Sequence, residues 1–293
     1  MQQHGEIRVS KKAETIDAHH HLWRYSAAEY GWIDEDMAAL RRDFLPIDLK
    51  SAMDSAGIDG SIAVQARQSM DESRWLLDLA DSTEAIRGVV GWAPIAGEDF
   101  PGCMEQFDGR AKLKGLRHVI QDERDQHYIL REDFNSGIRT MVDSGLVYEI
   151  LIFERQLEDA IYFVDQHPRQ PFVLDHIAKP LIAAGVMEPW ATHMRELARR
   201  PNVWCKLSGM VTEADWHADP ANASSLTTLK PYLDVAVEAF GPSRLMAGSD
   251  WPPCLLASGY AQWFDLLRNY FAVFSETERA AIFGGTAIEV YGL

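Results

Sequence analysis

The sequence predicts an α/β protein built as a closed (β/α)8 barrel, and three observations carry that expectation. Eight short apolar runs alternate with segments of helical period along 293 residues, a usual length for eight β/α units. Most of these runs are rich in Val, Ile and Leu without clean polar alternation, as strands covered on both faces should be. Polar residues stand at the ends of many runs, where barrels of this kind gather their sites. No Gly-x-Gly-x-x-Gly follows an early strand, which removes the usual signal of an open nucleotide-binding sheet. No Gly-x-Ser-x-Gly nucleophile elbow is present either.

Strands are expected at 15–21, 61–66, 86–92, 113–119, 146–152, 171–177, 203–209 and 244–249. Between them, residues 73–80 and 188–200 place apolar side chains near the helical period. Gly57 and Gly145 stop helices ahead of strands. The longest connections follow the first strand (Trp23 to Pro46), the sixth (Lys179 to Met187) and the seventh (Met210 to Leu226), where pocket walls are built. The first carries Trp23, Tyr25, Tyr30 and Trp32, which either stack on a flat ligand or pack on one another. Residues 1–14 read as a polar extension and residues 15–293 as a single domain, for no linker or low-complexity block interrupts the alternation.

A net charge of −16 argues against nucleic acid or an anionic membrane as partner, since either demands a basic face. Cys103, Cys205 and Cys254 are odd in number and lack Cys-x-x-Cys spacing, so they read as reduced thiols of a cytoplasmic protein. Met1 to Arg8 has no apolar core of a signal peptide, and no run approaches 18 apolar residues. Helix faces of a barrel often form dimers, so a homo-oligomer is open to this chain, but no patch here is singled out for it.

The run Thr15-Ile16-Asp17-Ala18-His19-His20-His21 is the sharpest local signal. Side chains alternate along a strand, so His19 and His21 share one side and His20 takes the other, toward the helix layer. Two imidazoles converging at a strand end either hold a divalent metal or polarise a substrate oxygen together. Val173-Leu174-Asp175-His176 ends the sixth strand, and alternation admits only one of Asp175 and His176 to the barrel mouth. His176 is the choice, as a third imidazole beside His19 and His21. Asp250, in Gly248-Ser249-Asp250-Trp251-Pro252, is placed to act as a general base toward water. Three His and one Asp make a mononuclear zinc set with room for a water molecule.

The fourth strand ends in Arg117 and His118, of which one faces the pocket. Arg117 has the planar fork that binds a carboxylate or a developing oxyanion. Lys206 and Ser208 share one face of the seventh strand, and Lys206 there is an electrostatic partner for Asp250 or the substrate. Gln65 and Arg67 close the second strand as weaker candidates.

These residues together resemble the amidohydrolase superfamily, in its amidohydrolase-related lactonase branch of L-fuconolactonase and L-rhamnonolactonase type. The carrying motifs are Ile16-Asp17-Ala18-His19-His20-His21-Leu22-Trp23, Arg42-Asp43-Phe44-Leu45-Pro46, Leu116-Arg117-His118-Val119-Ile120-Gln121-Asp122, Val173 through Pro180, Asn202 through Gly209, Gly248 through Pro252 and Phe283-Gly284-Gly285-Thr286-Ala287. The resemblance implies a distorted barrel with His19, His21, His176 and Asp250 around the reactive centre and Asp250 activating water. It implies hydrolysis of a small-molecule sugar lactone such as L-fucono-lactone, with Arg117 helping to polarise the carbonyl. Tyr30, Trp32, Gln65, His118, Lys206 and Trp251 are the expected substrate-binding residues. No strand-end lysine suits the carboxylated bridge of two-metal members, and Lys206 and Ser208 stand where a fourth His would be. One divalent metal, zinc, is therefore the most this set implies, and some lactonases of the branch work without one. A pyrone- or muconolactone-type lactonase or a decarboxylase of the same superfamily is the alternative, and a non-catalytic sugar-binding barrel the second.

Overall fold

The computed structural model describes residues 13–293, so the expected polar extension falls mostly outside the described residues. Eight parallel strands form one sheet in sequence order: β1 (Ile16–His20), β2 (Gly60–Val64), β3 (Ile86–Gly91), β4 (Leu113–Val119), β5 (Val147–Leu151), β6 (Phe172–Leu174), β7 (Val203–Leu207) and β8 (Leu245–Ala247). The sheet's two edges meet, for Asp250 N donates to His19 O at 2.8 Å and His21 N to Trp251 O at 2.6 Å. The expected (β/α)8 barrel is the observed one.

A helix follows each strand. Met70–Ser82 shows why: Ser69 caps it by accepting from Glu72 N, and Leu76, Leu77 and Ala80 form its buried stripe. Helix Pro46–Ala56 ends at Gly57 in the left-handed region (φ 64°), where a side chain would be strained. The larger apolar core lies between sheet and helices. A second cluster draws Ile16, Ala18, Ile62, Val64, Val90, Val147, Val173 and Met246 from six strands, which can meet only inside the barrel. Ala287 and Tyr291 of the last helix (Thr286–Tyr291) pack against that inner cluster.

Two strands fall furthest short of expectation. β6 stops at Leu174 rather than 177, and β8 at Ala247 rather than 249. The reason in β6 is backbone conformation: His176, Ile177, Ala178 and Lys179 all have φ between 48° and 58°. Each left-handed residue of this kind costs about 1–2 kcal/mol, and such strain gathers where a site requires it. Trp190 Nε1 holds the turn by donating to Ile177 O at 2.7 Å. Cys103, Cys205 and Cys254 are all free thiols. No helix among the described residues is long and apolar enough to cross a membrane.

Candidate active site

The ends of β1, β4, β6 and β8 bring five side chains together. His21 Nε2 lies 3.4 Å from Asp250 Oδ1, His19 Nε2 3.8 Å and His176 Nε2 3.9 Å from the same oxygen. Arg117 Nη1 stands 3.4 Å from His19 Nε2. These are the five residues that sequence reasoning placed at the reactive centre. Gly209, with φ 63°, stands against the His176 ring, where a Cβ would collide with it.

Hydrogen bonds behind the imidazoles fix which nitrogen faces the centre. His21 Nδ1 is 2.8 Å from Val64 O, which only accepts, so Nδ1 carries a hydrogen and Nε2 faces the centre. His19 Nε2 faces Arg117 Nη1 at 3.4 Å, and its Nδ1 faces Lys206 Nζ at 3.2 Å. His19 Nδ1 is 3.4 Å from Asp175 Oδ1. His176 Nδ1 is 2.9 Å from Ser208 Oγ. Burial, with Lys206 beside it, holds His19 well below the usual histidine range, and burial lowers His176 to about 4. Both rings are therefore neutral at pH 7.

His19 Nε2 and His21 Nε2 lie 3.2 Å apart, within reach of one shared proton or cation. A tetrahedral shell with bonds of about 2.0–2.1 Å sets its ligand atoms about 3.3 Å apart. The 3.2 Å between the two imidazole nitrogens and the 3.4, 3.8 and 3.9 Å to Asp250 Oδ1 approach that figure. His19, His21 and Asp250 form one metal-capable group, and His19, Asp175 and His176 another. The donor set fits one divalent cation, with the hydrogen-bonded Nδ1 atoms as the orienting outer shell.

Burial pushes the Asp250 carboxyl up, but the neighbouring His176 and His21 outweigh it and hold the group below the ordinary aspartate value. Asp250 is thus a carboxylate at neutral pH, ready to accept a proton.

Alternation fails at Asp175. Because β6 ends at Leu174 and the chain turns left-handed, Asp175 and His176 both enter the mouth, not one of them. Asp175 Oδ2 accepts from Arg117 Nη1 at 2.9 Å, and its Oδ1 lies 3.3 Å from Lys206 Nζ. Asp175 therefore organises the floor, a role sequence reasoning missed; its signal was the carboxylate beside His176. Arg117 is the member of its pair that faces in. His118 faces the helix layer, stacked on Tyr128 at 4.8 Å with Nε2 2.7 Å from Glu123 Oε1. His20 also points away, with Nε2 3.0 Å from Ser61 Oγ.

A cavity of about 910 Å³ opens above the centre, lined by His21, Arg117, His176 and Asp250 and walled by the loops after β1, β2, β6 and β7. Of the expected substrate-binding residues, Trp32 lines it and the others do not. Lys206 is wholly buried beneath His19 and pairs with Glu149 at 2.5 Å instead of Asp250, because β7 carries it into the barrel interior. Gln65 turns inward, its Nε2 donating to Arg117 O at 3.4 Å. Tyr30 donates to Glu72 Oε1 at 3.4 Å, and Trp251 packs edge-on against Phe44 at 5.1 Å. The aromatic loop is thus largely packed on itself, Trp23 meeting Tyr30, Trp32 and Phe44. Arg67, Lys179, Glu29 and Glu213 do line the cavity.

The amidohydrolase family profile matches residues 16–293. The L-fucono-1,5-lactonase of Burkholderia multivorans is 42% identical over 285 residues, covering 95% of this chain and 96% of its own. That of Burkholderia ambifaria is 35% identical over 280 residues, covering 94% of each. A crystal structure of an amidohydrolase from Burkholderia multivorans with bound zinc superposes with a TM-score of 0.92 at 42% identity, covering 96% of this chain and 100% of that one. With the family match reaching from β1 to the last residue, the chain belongs to the amidohydrolase family.

Proposed function

We propose that this chain is a lactonase that opens a sugar lactone, such as L-fucono-1,5-lactone, to its aldonic acid. The observation that carries the reading is Asp250, a carboxylate facing three imidazoles, with Arg117 beside His19, at the floor of an open cavity. The 42% and 35% identical relatives named L-fucono-1,5-lactonase support the substrate class.

Hydrolysis needs a nucleophilic water, a polarised carbonyl and a proton for the departing alkoxide. Asp250 removes a proton from water as its oxygen attacks the lactone carbonyl carbon. Arg117 is the donor beside the carbonyl oxygen as it gains charge, while the ring nitrogens of His19, His21 and His176 are placed as ligands of a cation. The ring C–O bond then breaks, and the proton held on Asp250 passes to the leaving alkoxide. His19, His21, His176 and Asp250 would hold one divalent metal, zinc being the fitting choice, which when bound supplies Lewis acidity at the carbonyl.

A polycarboxylate lactone or an aromatic acid would need free cations. Arg67, Arg117 and Lys206 are each matched by a carboxylate, which speaks against that alternative. The net charge of −16 speaks against nucleic acid or an anionic membrane as partner, and the free Cys103, Cys205 and Cys254 support a cytoplasmic enzyme. We read residues 15–293 as one domain. The test is a pH-indicator assay over aldonolactones, a pyrone dicarboxylate and muconolactone. Stereoselective turnover of an aldonolactone supports the reading; turnover of the anionic substrates alone would overturn it.

A further inference from the structure

Among the described residues three cationic side chains line the cavity, and each is already paired with a carboxylate. Arg117 meets Asp175 at 2.9 Å and belongs to the reactive centre. Arg67 Nη1 meets Glu29 Oε1 at 2.5 Å, and Lys179 Nζ meets Glu213 Oε1 at 3.7 Å. The last two pairs stand on opposite walls. Arg67 follows β2 and Lys179 follows β6, four strands apart in a ring of eight. Each pair also joins two loops, Glu29 coming from the loop after β1 and Glu213 from the loop after β7.

Both pairs are held in place before any ligand arrives. Arg67 N donates to Glu72 Oε2 at 2.8 Å, and its guanidinium lies 5.1 Å from the Tyr30 ring centre. Lys179 N donates to His176 O at 2.9 Å, and Nζ lies 5.5 Å from the Phe153 ring centre. Ala183 N donates to Glu213 O at 3.0 Å, tying the two loops together. Arg67, Lys179 and Glu213 keep about a fifth of their side-chain surface exposed, enough to present their heads to the cavity.

The chemistry such a wall recognises follows from the pairing. A hydroxyl both donates and accepts, and an ion pair offers an acceptor and a donor side by side, so it suits neighbouring hydroxyls. A carboxylate ligand approaching either cation meets Glu29 or Glu213 as well. We infer that Arg67–Glu29 and Lys179–Glu213 are two hydroxyl-gripping pairs that select a neutral, polyhydroxylated lactone. The inference rests on the lactonase reading and deepens it: specificity is set by these walls, away from the atoms that react.

The test compares kcat/KM for L-fucono-1,5-lactone and for δ-valerolactone, which has no ring hydroxyls, in the wild type, Glu213→Ala and Arg67→Met. A hydrogen bond to a charged group contributes about 1.5–3 kcal/mol, so each variant should narrow the preference for the sugar lactone by about 10–10²-fold. The loss should appear mainly in KM. Equal losses on both lactones, or an unchanged preference, would overturn the inference. Glu213→Gln, which keeps the side chain's shape, replaces Glu213→Ala if the latter fails to fold. If the wild type opens no lactone, the lactonase reading falls and this inference with it; if it opens aldonolactones with the preference intact in both variants, only this inference falls.

Discussion

Asp17 and Ser249, 232 residues apart, hold the two edges of the barrel together. Asp17 Oδ1 accepts from Ser249 N at 2.8 Å and Oδ2 from Ser249 Oγ at 2.7 Å. The same carboxylate accepts from His19 N at 3.1 Å and Tyr260 OH at 2.9 Å. It therefore sets the backbone of both His19 and the residue before Asp250. Asp17→Asn keeps the shape but turns an amide donor toward groups that already donate. We expect it to lower unfolding free energy by about 1–3 kcal/mol, the cost of a mispaired buried polar group, and kcat by at least about tenfold. Urea unfolding and lactone hydrolysis measure the two, and a variant unchanged in both would refute this role.

Lys206 and Glu149 form a fully buried ion pair under the site, with Tyr291 OH donating to the same Glu149 oxygen. Removing one partner strands a charge in an apolar interior, at a cost of about 3–5 kcal/mol. Lys206→Met should thus be severely destabilised, and Lys206→Met/Glu149→Leu should recover part of the loss, since Asp175 keeps Arg117 but still lacks Lys206. Denaturant unfolding of the wild type and both variants decides it; additive losses would contradict the coupling.

Metal affinity has a readout independent of turnover. Zinc at 100 times its Kd adds about 2.7 kcal/mol to stability if it binds only the folded chain. Zinc should raise the melting temperature of chelator-stripped wild type by several degrees and leave His19→Asn/His21→Asn unmoved. An equal rise in the double variant would place zinc elsewhere.

Acid sensitivity has a defined sign. Burial lowers His20 to about 3, with its Nε2 against Ser61. An unfolded histidine protonates near pH 6.5, so between about 6.5 and 3 the unfolded chain binds the extra proton and stability falls as pH falls, by up to about 1.4 kcal/mol per unit. Glu72 and Glu149, both pushed up to about 7 by burial, act oppositely, since the folded chain binds their protons first. Comparison with His20→Gln isolates the histidine: from pH 7 to 5 the wild type should lose about 2 kcal/mol more than the variant. Parallel losses would show that His20 is not the source.

Much of this architecture is legible in the chain because parallel strands covered on both faces leave unbroken apolar runs, and the polar residue ending each run marks the mouth. His19, His21 and Asp250 were found in that way. Alternation failed at two places. The register between β1 and β2 shifts between Asp17 and His20, and β6 yields to a left-handed turn that brings in both Asp175 and His176. The wall residues were harder to read, since a loop tryptophan or tyrosine looks the same whether it faces a ligand or its neighbours. Trp32 faces the cavity, whereas Tyr30 and Trp251 are spent on packing. Lys206 was misread because sequence shows which side a residue faces but not how deep in the barrel it lies.

The most direct measurement is hydrolysis of L-fucono-1,5-lactone by the wild type and by Asp250→Asn, with folding of both checked by circular dichroism. Asp250 as the base that activates water predicts rapid turnover by the wild type and a fall of at least about 10²-fold in kcat for the variant. A folded Asp250→Asn enzyme within a few-fold of wild type would contradict it.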